Sequence, residues 1–295
     1  MSSYSELLEK LFAYGTPESA GLEDWPDYLA SGITIEDAPE LLRMIADPTL
    51  RTTNPDEEDP KYWAAVHAWR TIAQLRDVSA TASLLQLTEN LFDNDSGFSE
   101  WAIEELPDVY EAIGPAAIPI LINCIADSTW YVETRVNAMT GLHKICTKYS
   151  EYRDEVVAFF TKQLENYAQN DPKINGYLIS NLSELKAIET LPLIKTAFDD
   201  GNIDTFLISL EDVEVSFGLR EPPEPLFTDF NSFLQALSHP EDQEDATPIS
   251  PTLSPQPHAQ QHPTSPYSSS IPKANKNKKT KKALAKASRK KNRKK

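Results

Sequence analysis

The chain has 295 residues, with 45 acidic against 28 basic side chains and a net charge of −17. Only 9 residues are glycine, and no two of them form a G-x-G sequence, which excludes a dinucleotide fingerprint and a Walker loop. The two cysteines, Cys124 and Cys146, are too few for a disulfide framework and favour a reducing, cytoplasmic location, with one buried disulfide as the alternative.

Hydropathy predicts neither a membrane span nor a signal peptide. The longest apolar stretch, 116–126, spans 11 residues and contains Pro119 and Asn123. A spanning helix needs roughly 18 or more apolar residues. The first residues have no basic n-region and no long apolar core, so we expect no signal peptide and no membrane partner.

Charge divides the chain into two parts. Residues 1–245 carry all 45 acidic side chains and 15 basic ones, for a net charge of −30, whereas residues 246–295 carry 13 basic side chains and no acidic one. We therefore interpret the acidic body and the basic tail separately.

Helix-capping signals appear early in the body. Ser3 with Glu6, and Thr34 with Asp37, have the spacing at which a side-chain oxygen caps a first turn and an acidic residue reaches back. We predict that residues 1–31 form an N-terminal cap on the helices that follow.

A ten-residue pattern then recurs, with a proline and an aspartate eight positions apart. Strong copies occupy 38–47, 118–127 and 191–200, and weaker copies without the proline occupy 84–93 and 156–165. Equivalent positions are 46, 34, 38 and 35 residues apart. Each interval has room for two helices and a turn, which is typical of helical repeats.

A second segment with apolar residues at helical spacing follows each copy, and no segment of comparable length alternates with period two. The sequence thus predicts an all-α fold of about five helix pairs within residues 1–238. We expect a kink or a break at Pro107, inside one of these segments. The apolar residues at helical spacing in the five second segments are Trp63, Val66, Trp69, Ile72 and Ala73; Trp101, Ile103, Leu106 and Tyr110; Val132, Val136, Met139, Leu142 and Cys146; Tyr177, Leu178, Leu182 and Leu185; Ile203, Phe206, Leu207 and Leu210.

The third unit, 115–146, with Asp127 in its turn and Arg135 in its second helix, resembles a HEAT repeat. It is similar to the bacterial HEAT-like repeats shared with phycobilisome lyases, and the resemblance covers about residues 36–217. It implies an α-solenoid that binds proteins, in which Asp127 and Arg135 take part in a ladder between adjacent units. It does not imply lyase activity, because the residues of pigment attachment have no match here.

The sequence offers little catalytic chemistry. Cys124, His143 and Cys146 are the one plausible metal-ligating set, but they border an apolar stripe, where thiols pack as small hydrophobic side chains. The other histidines have no serine or cysteine partner at a recognisable spacing. We predict a protein without enzymatic activity, metal or cofactor.

Aromatic side chains are the candidates for contact with a partner protein. Trp63 and Trp69 are six positions apart and lie on roughly opposite flanks of a helix, so Trp69 is a candidate surface residue. Trp130 and Tyr131 begin the second helix of the third unit and are candidates for its rim. Burial in the core is the alternative for all five tryptophans.

The C-terminal part predicts disorder. Residues 239–272 read as a linker, since 246–272 hold seven prolines, six serines and no charge. Residues 273–295 read as a disordered basic tail that binds polyanions by counterion release, without base specificity. Its candidate contacts are Lys278, Lys279, Lys281, Lys282, Arg289, Lys290, Lys291 and Arg293.

Three functions follow as hypotheses. The first is a cytoplasmic scaffold that binds another protein along its helical surface, with electrostatic contacts from the tail. The second is an RNA- or ribosome-associated factor that binds through the tail. The third is an enzyme of pigment attachment similar to the phycobilin lyases.

Overall fold

The computed structural model describes residues 4–18, 21–51, 60–92 and 98–222. Within these ranges the chain forms eleven α-helices, joined by short 3₁₀ turns, and no strand. The predicted all-α fold is confirmed.

The N-terminal segment, described at residues 4–18 and 21–37, contains one short helix, α1 (Glu6–Glu9), followed by single 3₁₀ turns. The predicted capping box at Thr34 and Asp37 is present, and the Thr34 N–H donates to Asp37 Oδ2 at 2.9 Å. This box starts the 3₁₀ turn that leads directly into the next helix. Ser3, in the other predicted box, lies outside the described residues.

Ten consecutive helices follow, and their order matches the predicted two-helix units. The two helices of each of the first four pairs pack against each other. The helices are α2 (Ala38–Ala46) with α3 (Ala64–Leu75), α4 (Ala80–Phe92) with α5 (Phe98–Ile113), α6 (Ile118–Ala126) with α7 (Val132–Lys148), α8 (Arg153–Leu164) with α9 (Pro172–Glu184), and α10 (Leu191–Asp199) with α11 (Leu210–Ser216).

Contacts between pairs run mainly through the odd-numbered helices. Helix α3 packs on α5, α5 on α7, α7 on α9, and α9 on α11. Among the even-numbered helices, α2 packs on α4 and α4 on α6. One hydrophobic cluster extends through these contacts from Tyr4 to Val213. Each pair therefore buries apolar surface that its neighbour covers.

The proline of the repeated pattern has the same place in each strong copy, and the aspartate has the same role in two of them; in the third copy, Asp200 Oδ2 instead accepts from the Tyr167 hydroxyl at 2.6 Å. The proline lies in the first turn of a helix, where a missing N–H costs little. The aspartate follows the helix: Asp47 Oδ1 accepts from the Thr49 N–H at 2.9 Å, and Asp127 Oδ1 accepts from the Thr129 N–H at 2.9 Å. These side-chain turns redirect the chain towards the second helix. The three prolines are Pro39, Pro119 and Pro192.

Of the predicted kink or break at Pro107, the break is wrong, because α5 continues through this residue. Proline has no N–H to donate to the carbonyl of Ile103, four residues earlier. The Asn137 Nδ2 of α7 lies 3.3 Å from the oxygens of both Ala102 and Ile103 and supplies a donor instead. A neighbouring helix thus satisfies the carbonyl that the proline leaves without a partner.

The second helix of the fifth pair begins later than the apolar spacing predicts. Ile203 and Phe206 lie in a loop, and α11 starts at Leu210. Ser209 caps this helix: its Oγ accepts from the Asp212 N–H at 3.1 Å, and its own N–H donates to Asp212 Oδ2 at 2.9 Å. This local box determines the helix start more strongly than the apolar pattern does.

The chain divides into two units, Met1–Pro225 and Leu226–Lys295, and all described residues belong to the first. The predicted linker, 239–272, and the predicted tail, 273–295, lie outside the described residues. The same holds for the last part of the predicted body, 223–238.

No single helix in the described ranges has the length and apolar character to cross a membrane. Trp101–Ile113 and Pro115–Ala126, which meet at a bend of 108°, meet those criteria only when they are taken together.

Candidate functional site

A small groove between α4 and α6 contains one of the predicted aromatic residues, Trp130. The cavity measures about 220 Å³, below the roughly 300–1,000 Å³ of small-molecule sites, so its size suits a single side chain of a partner. Trp130 is half-buried, and the neighbouring Tyr131 is 48 % exposed. The lining is apolar apart from two polar residues at its edge and consists of Ala82, Leu85, Ile120, Asn123, Cys124, Asp127 and Trp130.

Glu89 of α4 fixes the position of Tyr131. Its two carboxylate oxygens accept from the Tyr131 N–H at 3.0 and 3.2 Å, and Oε2 also accepts from Thr134 Oγ1 at 2.6 Å. Tyr131 is the N-cap of α7, so this carboxylate also interacts favourably with the positive end of the helix dipole. The backbone is held from α4 while the Tyr131 ring remains half-exposed.

Trp69, the third predicted contact residue, is fully buried, so the prediction that it faces a partner is wrong. Its indole Nε1 donates to Glu105 Oε2 at 2.9 Å. Helix α3 packs against α2, α5 and the N-terminal segment. The spacing of Trp63 and Trp69 predicted that one flank of this helix is open, whereas the N-terminal segment covers it.

Beside Trp69 lies a buried ion pair between Arg70 and Glu105, with side chains 2 % and 8 % exposed. Arg70 Nε donates to Glu105 Oε2 at 2.9 Å, and one terminal nitrogen of the guanidinium donates to the other carboxylate oxygen and to the Glu18 carbonyl. The guanidinium also lies over the Trp25 ring, 5.1 Å from its centroid. These contacts link α3, α5 and the N-terminal segment.

His67 makes a second buried link to the N-terminal segment. Its Nε2 lies 2.8 Å from the Gly15 carbonyl oxygen, which only accepts, so this nitrogen carries the proton. The Tyr28 hydroxyl therefore donates to Nδ1, at 2.7 Å. Burial lowers the pKa of His67 to about 4, so the ring is neutral at pH 7.

A cavity of about 670 Å³ adjoins this cluster, and His67 and Arg70 form part of its wall. Both side chains are engaged by protein partners: His67 by Tyr28 and Gly15, Arg70 by Glu105 and Glu18. Both side chains therefore hold the N-terminal segment against α3, and this structural role explains why they line the cavity.

The cysteines pack in the core, as predicted. Cys124 and Cys146 are free thiols, 3 % and 1 % exposed. Burial raises the pKa of Cys124 to about 12 and that of Cys146 to about 11, which keeps both thiols protonated at pH 7. His143 lies 3.3 Å from Glu184 Oε2. In the part of the chain that the structure describes, no group of three His, Cys, Asp or Glu side chains is arranged to hold a metal.

Ion pairs cross the odd-numbered helices from one pair to the next. Lys144 of α7 contacts Asp108 of α5 at 2.5 Å, and Lys173 of α9 contacts Glu133 of α7 at 3.0 Å. Arg135, expected in such a ladder, donates instead to the Ile125 carbonyl within its own pair, at 2.9 Å. Asp127 accepts a hydrogen bond from Thr129, and its interaction with Arg135 is electrostatic. These two ion pairs connect adjacent helix pairs, but they use other residues than Asp127 and Arg135.

The loop before α11 contains a candidate contact residue, Phe206, which the apolar spacing predicted to lie on a helix face. The Phe206 side chain is 102 % exposed. Its loop is tied to α9: Asn175 Nδ2 donates to the Asn202 carbonyl at 2.8 Å, and the Asp204 N–H donates to the Pro172 carbonyl at 3.1 Å. Asparagine and aspartate favour turns, so the residues before Phe206 contained a signal for this loop.

The predicted polyanion contacts lie outside the described residues. They are Lys278, Lys279, Lys281, Lys282, Arg289, Lys290, Lys291 and Arg293.

The described fold is that of an all-helical protein built of consecutive helix pairs. Residues 36–224 match the model of the family described as "Protein of unknown function (DUF1186)". This match covers more than half of the chain, so the protein belongs to that family. It spans α2 to α11 and leaves out most of the N-terminal segment. Neither the search of curated proteins nor the search of solved structures found a match.

Proposed function

We propose that the protein is a non-enzymatic scaffold whose helix pairs form a HEAT-like α-solenoid and bind another protein. The order of helix contacts supports the solenoid, since α3, α5, α7, α9 and α11 each pack on the next. In repeat proteins of this kind each unit contacts only its neighbours, which leaves a long surface available for binding.

The groove at Trp130 is the place where we expect a partner to anchor, and the exposed Tyr131 beside it carries this proposal. A half-exposed aromatic ring on a backbone clamped by Glu89 loses little entropy on binding. Tyrosine and tryptophan are enriched among residues that dominate binding energy. The partner would insert one large apolar side chain between α4 and α6.

The test uses the full chain and two variants that act on the groove in different ways. Tyr131→Ala removes the exposed ring, and Ala82→Trp fills the groove from an exposed position on α4. Ile35→Ala, which truncates a 56 % exposed side chain elsewhere, is the matched control. Quantitative affinity capture from the native host should recover a partner with the parent chain and the control, and at least about tenfold less with either groove variant. Equal recovery with all three variants would reject the groove.

The second candidate is an RNA- or ribosome-associated factor that binds through the tail, because residues 273–295 carry 13 basic side chains and no acidic one. Deletion of 273–295 separates the two functions. Partner capture that survives the deletion supports the scaffold. Capture that disappears together with bound nucleic acid supports the tail.

A further inference from the structure

The packing of the even-numbered helices changes along the chain. Helices α2, α4 and α6 pack on one another in sequence, whereas the main contacts of α8 in the described part of the chain are with α7, α9 and the turn Ser150–Tyr152. The space between α8 and the turn Ile188–Thr190, which opens α10, is a groove of about 550 Å³.

One face of α8 forms the floor of this groove along almost the whole helix. Its lining residues run from Asp154 to Glu165, a distance of about 16 Å or three helical turns. Val157, Ala158 and Thr161 occupy the middle, and Thr190 contributes to the facing wall. These small side chains allow the backbone of another helix to approach closely. The length and shape suit an amphipathic helix of about three turns, bound in the helix-in-groove mode.

The charges around the groove define which helix would fit. Asp154, Glu165 and Glu189 line it, against one cation, Lys162. The Asp154 side chain is 95 % exposed although it pairs with Arg153, and Glu165 and Glu189 are also exposed. Since acidic groups stand at both ends of the floor and on the facing wall, a basic helix would be attracted and an acidic one repelled.

We propose that the groove between α8 and α10 binds an amphipathic helix of a partner protein, with small apolar side chains towards α8 and lysine or arginine along its flanks. This inference rests on the proposed function in one respect, that the partner is a protein. It uses a different surface from the groove at Trp130.

The test measures binding of a defined peptide to the full-length chain. The probe is a fluorescently labelled synthetic helix of about 14 residues, with leucine and alanine on one face and lysine on the other. The matched peptide carries glutamate in place of lysine. Fluorescence anisotropy at low and moderate salt should show binding of the lysine peptide that weakens with salt, and at least about tenfold weaker binding of the glutamate peptide.

Three variants localise the binding. Ala158→Trp fills the floor from an exposed position and should weaken the lysine peptide at least about tenfold. Glu165→Lys should weaken it several-fold. Glu23→Lys, an equal change of charge at an exposed residue of the N-terminal segment, should leave it unchanged. Circular dichroism confirms that each variant is folded.

Two results would overturn the inference. If Ala158→Trp binds as the parent does, the peptide does not occupy this groove. If Glu23→Lys weakens binding as much as Glu165→Lys, the peptide responds only to the general acidity of the body.

The two proposals can fail separately. Peptide binding that Ala158→Trp abolishes, together with partner capture that is indifferent to Tyr131→Ala, rejects the groove at Trp130 and supports this one. Capture that depends on Tyr131 while no variant affects the peptide rejects the groove between α8 and α10 alone.

Discussion

The two ends of the described body treat polar and apolar side chains in opposite ways. Around α3, a charged pair, Arg70 and Glu105, is buried with Trp69. Before α11, a large apolar side chain, Phe206, is fully exposed. The first region uses charge to hold three parts of the chain together, and the second displays an aromatic ring on a loop fixed by asparagines.

The N-terminal segment explains this difference. It covers one side of α3, so that all residues from Ala64 to Ala73 are buried, whereas α5, α7 and α9 each keep a partly exposed side. Polar groups on α3 therefore need partners inside the protein. On the later helices, half-buried lysines and acidic residues instead connect one helix with the next. We therefore expect binding surfaces on the later helix pairs, and buried polar contacts that hold the chain together at the first pair.

Loss of the buried acid should have the largest effect. Glu105→Ala leaves Arg70 buried without its counter-ion and removes the acceptor of the Trp69 indole. We expect the free energy of unfolding to fall by about 3–5 kcal/mol, measured by urea unfolding followed by circular dichroism. Glu111→Ala, on the same helix but paired with the exposed Lys148, should cost less than about 1 kcal/mol. Equal losses would contradict the contrast between buried and surface pairs.

Acid should have the second largest effect, because protonation of His67 weakens its contacts with the N-terminal segment. The pKa of His67 is about 4 in the folded protein against 6.5 when unfolded, so the unfolded state binds more protons between these values. This stabilisation is complete above pH 6.5 and is lost as the pH falls towards 4, by at most about 3 kcal/mol. The neighbours of the ring are Tyr14, Tyr28 and Arg70.

Comparison with His67→Gln isolates this contribution from other titrating groups. Denaturant unfolding at several pH values should give a steeper decline for the parent chain than for the variant. Parallel curves for the two proteins would show that His67 does not titrate on unfolding in this window.

The link between α5 and α7 should have a smaller effect. Asn137→Ala removes the donor that serves the Ile103 carbonyl behind Pro107. We expect a loss of about 1 kcal/mol in the free energy of unfolding. Adding Pro107→Ala to this variant returns a backbone N–H to α5 and should recover most of the loss. A double variant that stays at the level of Asn137→Ala would show that the carbonyl needs no donor.

The smallest effect on stability is expected at the exposed end. Phe206→Ser removes a ring that the fold does not bury, so the free energy of unfolding should change by less than about 0.5 kcal/mol, measured from the shift of the thermal midpoint. Phe160→Ala, at a fully buried aromatic on α8, should cost about 3–5 kcal/mol. A large loss for Phe206→Ser would mean that the ring has a structural contact in solution.

Sequence by itself determined the features that depend on neighbouring residues. The helix pairs, the first-turn prolines such as Pro119, and the box at Thr34 and Asp37 follow from helical spacing and capping, which act over three or four positions. The burial of both cysteines followed from the apolar stripe that they border. Trp130 and Tyr131 lie directly before α7, where the spacing placed a helix start, and their contact with a partner stays a prediction.

Only the tertiary structure decided the features that depend on distant residues. Trp69 is buried because the N-terminal segment and α5 cover it, and Glu105, its acceptor, lies 36 positions along the chain. Helix α5 tolerates Pro107 because Asn137 of another helix serves the free carbonyl. Periodicity identifies which residues share a helix face, but burial depends on what packs against that face, and that is established only when the whole chain has folded.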